Sequence, residues 1–260
     1  MITTISIDPV AFLNIRWYGI MVALAVLAIV LWMLWQVRRG AKLSSDTILM
    51  VALVGIPSGV VVSKLLHVID RWDFYMQNPG DIINPGGLTI YGAVLGAALG
   101  IWIYSRFSDF KFGYFVDLVA PGVILAQAIG RVGCTINGCC HGLEAPSWLF
   151  WAIQYDSKYR YAVSTGYLDK PLYPTQPYEI IFLLLVFAVL FKLRGRFKPE
   201  GSLFLIYISL YSLWRVGIDF LRVGTPFLFG LHQAQVVAII VLAIAIPLLA
   251  LRTRWVKAEL

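Results

Sequence analysis

The sequence predicts an all-α polytopic membrane protein with seven transmembrane helices, and three observations carry that reading. Hydrophobic residues make up 60% of the chain and charged residues 13%, where soluble domains average roughly 45–50% and about 25%. Seven apolar runs approach the ~20 residues that cross a bilayer, near 17–37, 47–66, 88–105, 113–130, 177–193, 201–220 and 233–251. The connections between them alternate in charge.

The first run opens at "NIRWYGIM", which puts Arg16 and Tyr18 at its mouth, and closes on Arg38 and Arg39. A cleaved signal carries its positive charge before a short apolar core; here the charge follows a long one, so this run is expected to remain as a span. The third run sits in "NPGGLTIYGAVLGAALG" (84–100), with Tyr91 near its start and Gly92, Gly96 and Gly100 spaced for close helix approach. The fourth is the least apolar, interrupted by Asp117, Pro121 and Gly122. The fifth begins at "YPTQPYE" (173–179), which puts Gln176, Tyr178 and Glu179 at its mouth, as boundary anchors or as site residues.

Four short connections hold more than half of the 21 basic residues: Arg38, Arg39 and Lys42; Arg106 and Lys111; Lys192, Arg194, Arg196 and Lys198; Arg252, Arg254 and Lys257. The positive-inside rule makes these cytoplasmic, with the N-terminus outside and the C-terminus inside. The net charge of +7 is therefore an orientation signal, and nucleic-acid binding is set aside. The longer connections, roughly 67–87, 131–176 and 221–232, fall outside. The chain reads as one integral membrane domain over 1–260, with 131–176 an outer or interfacial loop region. Its "PSWLFWAIQYDSKYRYAV" suits either the headgroup zone or an ordinary loop with aromatic anchors.

Chemistry concentrates in two stretches. In "LYSLWRVGIDFLRVG", Tyr211, Arg215, Asp219 and Arg222 recur at spacings of four, four and three, one polar stripe on an apolar helix. Charge within a span is costly and should face the bundle interior or a hydrated cavity. If Arg215 and Asp219 neutralise each other, Arg222 lacks a local partner and would snorkel outward. In "AQAIGRVGCTINGCCHG" (126–142), Arg131 is followed by Gly133, Gly138 and Gly142, a composition suited to a backbone nest around an anion, with Asn137 as a neutral donor. It is not a nucleotide P-loop, because Cys139 and Cys140 stand at the Lys and Ser/Thr positions. Cys134, Cys139, Cys140 and His141 would make a metal ligand set, but three are consecutive, which argues against convergence. A disulfide from Cys134, or small side chains lining a turn, are the other readings, and no metal or cofactor is assigned.

The blocks "RWYGIM", "GGLTIYGAVLG", "GRVGCTINGCCHG", "YPTQPYE" and "LYSLWRVGIDFLR", spread over nearly the whole chain, resemble those of the bacterial prolipoprotein diacylglyceryl transferases. The resemblance implies a seven-span inner-membrane fold with a periplasm-facing site. It implies transfer of the diacylglyceryl group of phosphatidylglycerol to the lipobox cysteine of a prolipoprotein signal peptide, releasing glycerol phosphate. By the same resemblance Arg131 binds the lipid, Asn137 and Gly142 belong to its block, and Arg215 is the second functional arginine. Tyr18 and Tyr211 match the family's tyrosines, and Asp219 stands where glutamate is usual. Three departures stand out: Tyr91 stands where some members carry a histidine considered as a base, Cys134 and Cys139 replace frequent asparagine and glutamate, and Leu143–Glu144 replaces a common arginine–proline pair.

On this reading Arg131 holds the headgroup phosphate, Arg215 meets the developing negative charge, Asp219 and Tyr211 orient Arg215, Arg222 and Arg16 contribute to binding, and Tyr91 or His141 takes the thiol proton. The partners are phosphatidylglycerol, the prolipoprotein and membrane lipid. The alternatives are a lipid or anion transporter, a paralogue with another acceptor, and a membrane thiol-redox protein.

Overall fold

The computed structural model describes residues 3–12, 15–84, 87–159, 163 and 166–256. Lys257 and part of the aromatic loop segment lie outside these residues. The chain is mostly helical, in the order α1 (Trp17–Arg38), α2 (Ser45–Asp70), α3 (Trp72–Gln77), α4 (Ile90–Ser105), α5 (Phe112–Asn137), α6 (Thr175–Leu193), α7 (Ser202–Ile218) and α8 (Gln233–Arg252). Among the described residues six helices are long and apolar enough to span a membrane, counting α7 through its terminal turn to Leu221, and Ile90–Ser105 is a shorter apolar helix. It is an all-α polytopic membrane protein. Short two-stranded pairings decorate the helix ends, among them β1 (Thr3–Ile5), which runs parallel to a later strand at Ile153–Tyr155.

The chain forms two compact units, Met1–Trp32 with Val116–Leu260, and Met33–Phe115. In the second unit α2 and α4 pack through small residues. A Cβ on Gly92 would meet Ser63 Cα at 2.5 Å, and one on Gly96 would meet the Ser58 carbonyl oxygen at 2.5 Å. Between helices in lipid no hydrophobic effect operates, so such van der Waals closeness and interhelical hydrogen bonds hold the pair. Ser63 Oγ donates to the Thr89 carbonyl at 2.7 Å. Tyr91 lies in the first turn of α4 in this unit, 39% exposed.

In the first unit Ala120, Ile124 and Ala128 recur every fourth residue on one face of α5. They pack against Leu183, Val186 and Leu190 of α6 and Leu203 and Tyr207 of α7. The Phe182 and Trp214 rings stack at 4.3 Å. Two of the residues that interrupt the fourth apolar run have structural work. Asp117 accepts from the backbone N–H groups of Gly201 at 2.7 Å and Phe204 at 2.8 Å, satisfying the first turn of α7. At Gly122 a Cβ would lie 2.7 Å from the Trp32 indole, whose N–H donates to the Leu118 carbonyl at 2.9 Å.

Span four runs further than its apolar run suggests. The helix continues through Arg131, Gly133, Cys134 and Asn137, and ends where Gly138 turns left-handed at φ +73°. Gly133 therefore lies inside a helix, where a Cβ would meet Met21 Cβ at 2.8 Å. Thr135 Oγ1 donates to the Arg131 carbonyl at 3.0 Å, and Tyr155 Oη donates to the Thr135 carbonyl at 3.1 Å, so the terminal turn stays satisfied. The loop beyond carries its own small core of Ile153, Tyr155, Tyr159, Val163 and Leu172. Its aromatic segment divides: Tyr155 and Tyr159 are buried, whereas Trp148, Phe150 and Trp151 are exposed.

Candidate active site

Three helix ends of the first unit bring charge together. Arg131 comes from the last two turns of α5, Glu179 from the first turns of α6, Arg215 from the last turn of α7, Asp219 from the 3-10 turn Asp219–Leu221 that continues α7, and Arg222 from the residue after it. The polar stripe is therefore not continuous α-helix: α7 stops at Ile218, and Arg222 is extended, with φ −105° and ψ 149°. The tighter turn still stacks residues three apart, so Asp219 reaches both arginines. Arg215 Nη2 lies 2.8 Å from Asp219 Oδ1, and Arg222 Nε lies 3.9 Å from the same oxygen.

Glu179 is the centre of the cluster. Its Oε1 lies 3.0 Å from Arg131 Nη2 and accepts from Tyr211 Oη at 3.4 Å. Its Oε2 lies 3.7 Å from Arg222 Nη1 and 4.0 Å from Arg215 Nη1. The Glu179 side chain is 2% exposed, against 17% for Arg131 and 13% for Arg215. Three guanidiniums thus face the two carboxylates Glu179 and Asp219, leaving one positive charge in excess. Arg215 Nη1 and Arg222 Nη1 are buried without a hydrogen-bond partner. Two unsatisfied donors beside an uncompensated cation are costly unless an anion completes the site. The arrangement suits a phosphate ester.

The comparisons with known proteins bear on the same region. The model of the prolipoprotein diacylglyceryl transferase family matches residues 5–251. The chain belongs to this family. Proteins named phosphatidylglycerol–prolipoprotein diacylglyceryl transferase resemble it over most of their length. One from Dehalococcoides mccartyi strain ATCC BAA-2266 is 50% identical over 257 residues, covering 97% of this chain and 96% of that protein. One from Listeria innocua is 32% identical over 253 residues, covering 95% and 90%.

Within this transferase family member, the structure places the residues singled out by sequence in the following contacts. Arg131 and Arg215 meet at one carboxylate. Arg222 does not snorkel outward: it is 9% exposed and pairs with Glu179 and Asp219. Tyr211 donates to Glu179 rather than orienting Arg215 directly. The three glycines do not form the anticipated nest. Gly133 serves a helix crossing and Gly138 ends α5. At Gly142 three backbone segments crowd together, and a Cβ would lie 2.5 Å from the Tyr173 carbonyl oxygen and 2.9 Å from that of Leu221. That crowding, with the Gly142–Arg222 bridge and the Leu143 N–H donating to the Leu221 carbonyl at 2.8 Å, fixes where Arg222 enters. The groups gathered here are guanidiniums, not main-chain amides.

Asn137 ends α5 with its side-chain oxygen buried and unpartnered. Tyr18 opens α1 and Arg16 lies exposed on the short strand before it; the Tyr18 backbone approaches Gly133. His141 is 2% exposed, its Nδ1 3.0 Å from the Gly142 carbonyl oxygen and its ring centroid 5.4 Å from that of Tyr167.

The cysteines are free thiols, and their sulfurs converge within 4.8 Å of one another. Consecutive spacing does not prevent this, because Gly138 at φ +73° and Cys140 at φ +61° fold the chain back over Cys134. Arg131 Nη1 donates to Cys134 Sγ at 3.9 Å. Hydrogen bonds from Cys134 and Cys139, reinforced by the Arg222 and Arg131 guanidiniums, hold the Cys140 thiol well below its usual range against the opposing effect of burial.

Glu179 is the central residue of the cluster, which the sequence left open as a boundary anchor or a site residue. Charge balance was the available signal: Arg131, Arg215 and Arg222 needed a second carboxylate besides Asp219. Gln176 beside it is buried, and its Nε2 donates to the Cys139 carbonyl at 2.9 Å and to Tyr155 Oη at 3.1 Å, pinning the cysteine turn to α6.

Proposed function

We propose that the chain transfers the diacylglyceryl group of phosphatidylglycerol to the lipobox cysteine of prolipoprotein signal peptides, from a site facing the periplasm or cell exterior of a bacterial inner membrane. The observation that carries this reading is the buried cluster of Arg131, Arg215 and Arg222, with its excess positive charge and two unsatisfied guanidinium nitrogens. The names of the relatives and the matched family support the reaction. Orientation follows from charge: the arginine cluster sits at the ends of α5 and α7 opposite the basic connections, which the positive-inside rule places in the cytoplasm.

In this reaction the lipobox sulfur forms a bond to the glyceryl carbon as the bond from that carbon to the phosphate oxygen breaks. Glycerol phosphate leaves with the electron pair, and the thiol proton passes to a base. Arg131 is assigned to the headgroup phosphate and Arg215 to the charge that grows on the leaving group, with Asp219 holding Arg215 in place. Guanidiniums fixed in a region of low dielectric stabilise that charge without reorganising, and the same field favours the thiolate of the incoming cysteine. Glu179 restrains the arginines until the lipid arrives and competes with its phosphate for them. Tyr91, standing where family members carry histidine, is assigned the proton relay, and Asn137, Gly142, Tyr18, Tyr211, Arg222 and Arg16 complete lipid binding.

The test is rescue of a strain depleted of its own transferase, with mass spectrometry of a reporter lipoprotein. A diacylglyceryl group on the lipobox cysteine is expected. Growth without that modification, or anion flux through vesicles without lipid turnover, would replace this reading with another acceptor or a transporter.

A further inference from the structure

We propose that Cys134, Cys139 and Cys140 form a three-thiolate site for a soft metal ion, copper(I) foremost. The sulfurs lie within 4.8 Å of one another with no disulfide between them. Metal–sulfur bonds of ~2.3 Å in a trigonal plane place sulfurs about 4 Å apart, so closure requires only side-chain adjustment. Thiolates select thiophilic ions, and three converging sulfurs without a fourth suit copper(I) better than zinc, whose structural sites are tetrahedral.

The site is built rather than incidental. Cys134 is anchored in the last turn of α5. The carbonyls of Cys139 and Cys140 accept from Gln176 Nε2 at 2.9 Å and Thr175 Oγ1 at 3.1 Å, both from the first turn of α6. Cys140 adopts φ +61°, a left-handed conformation that a non-glycine residue keeps only where its surroundings impose it. Burial grades from Cys134, buried, to Cys140, exposed, which gives an ion a way in. The arginine cluster, whose Arg131 Nη1 lies 3.9 Å from Cys134 Sγ, offsets part of the negative charge of a metal-bound three-thiolate centre. On binding, each sulfur forms a bond to the metal, the thiols still protonated lose their sulfur–hydrogen bonds and release those protons to solvent, and copper stays monovalent.

The experiment uses the purified full chain in detergent, reduced and desalted under argon, titrated with copper(I) against a chromophoric copper(I) chelator. Uptake of one copper(I) per chain is expected, with a thiolate-to-copper charge-transfer absorption in the ultraviolet. Cys140→Ser, at the exposed end of the turn, should weaken retention at least tenfold, and so should Cys134→Ser. Copper(I) retained equally by wild type and Cys140→Ser, no uptake by wild type, or tighter zinc(II) uptake would overturn the assignment. The readout is metal content, so it stands or falls independently of the transfer reaction.

Discussion

The Glu179 carboxylate lies 3.0 Å from the Arg131 guanidinium, joining the beginning of one membrane helix to the end of another across a long connecting loop. The same carboxylate faces Arg215 and Arg222. The three arginines are therefore held in one place by a single carboxylate.

Arg131→Ala and Arg215→Ala should each lower transfer by about 10²–10³, the loss seen when one donor to a developing oxyanion is removed. Rates measured in vesicles of phosphatidylglycerol with a lipobox peptide give the check. Arg131→Lys should recover only part, because an ammonium keeps the charge but not the planar fork. Near-normal turnover in both alanine variants would contradict the assignment.

Glu179→Ala should destabilise the protein by about 3–5 kcal/mol, because three guanidiniums would lose their shared partner within a buried cluster. A lowered unfolding midpoint in detergent reads it. Glu179→Asp should fall between the two, since its shorter side chain keeps the charge but cannot span the same three contacts.

Anionic lipid should act in the opposite direction. A ligand that binds the folded state at a hundred times its dissociation constant adds about 2.7 kcal/mol. Phosphatidylglycerol should raise the unfolding midpoint of wild type more than phosphatidylcholine does, and the difference should shrink in Arg131→Ala.

Gly142→Ala should cost about 1–3 kcal/mol, as overpacking does, because the new methyl would collide with the carbonyls of Tyr173 and Leu221, which are main chain and cannot turn aside. Arg222 would shift with the strand it bridges, so activity should fall further than stability. Comparing turnover at matched folded fraction separates the two.

Tyr91→Phe should slow transfer by on the order of 10² if the phenol relays the proton. Separately, iodoacetamide should modify Cys140 before Cys134 and Cys139 in the metal-free protein, because its neighbouring thiols and the Arg222 and Arg131 guanidiniums favour its thiolate. Peptide mapping after limited labelling reports it.

Much of this was legible in the chain. The spans, the basic connections and the identities of Arg131, Arg215 and Asp219 follow from local pattern, because lipid imposes a length and a composition on each crossing segment. Helix packing at Gly96 and Gly100 was legible for the same reason. The end of α5 was not: "RVGCTIN" reads as a turn by its glycine, yet Gly133 is a contact point with α1 and the helix runs on.

The sequence by itself determined that this is an all-α polytopic membrane protein, and which arginines it places within or beside its spans, because burying apolar length and neutralising charge are local demands. Only the tertiary structure decided that Glu179 binds three of those arginines together, that Gly142 steers Arg222, and that three cysteines meet. Each depends on residues far apart in the chain being brought within a few ångströms by helix packing, a distance that no spacing along the chain encodes.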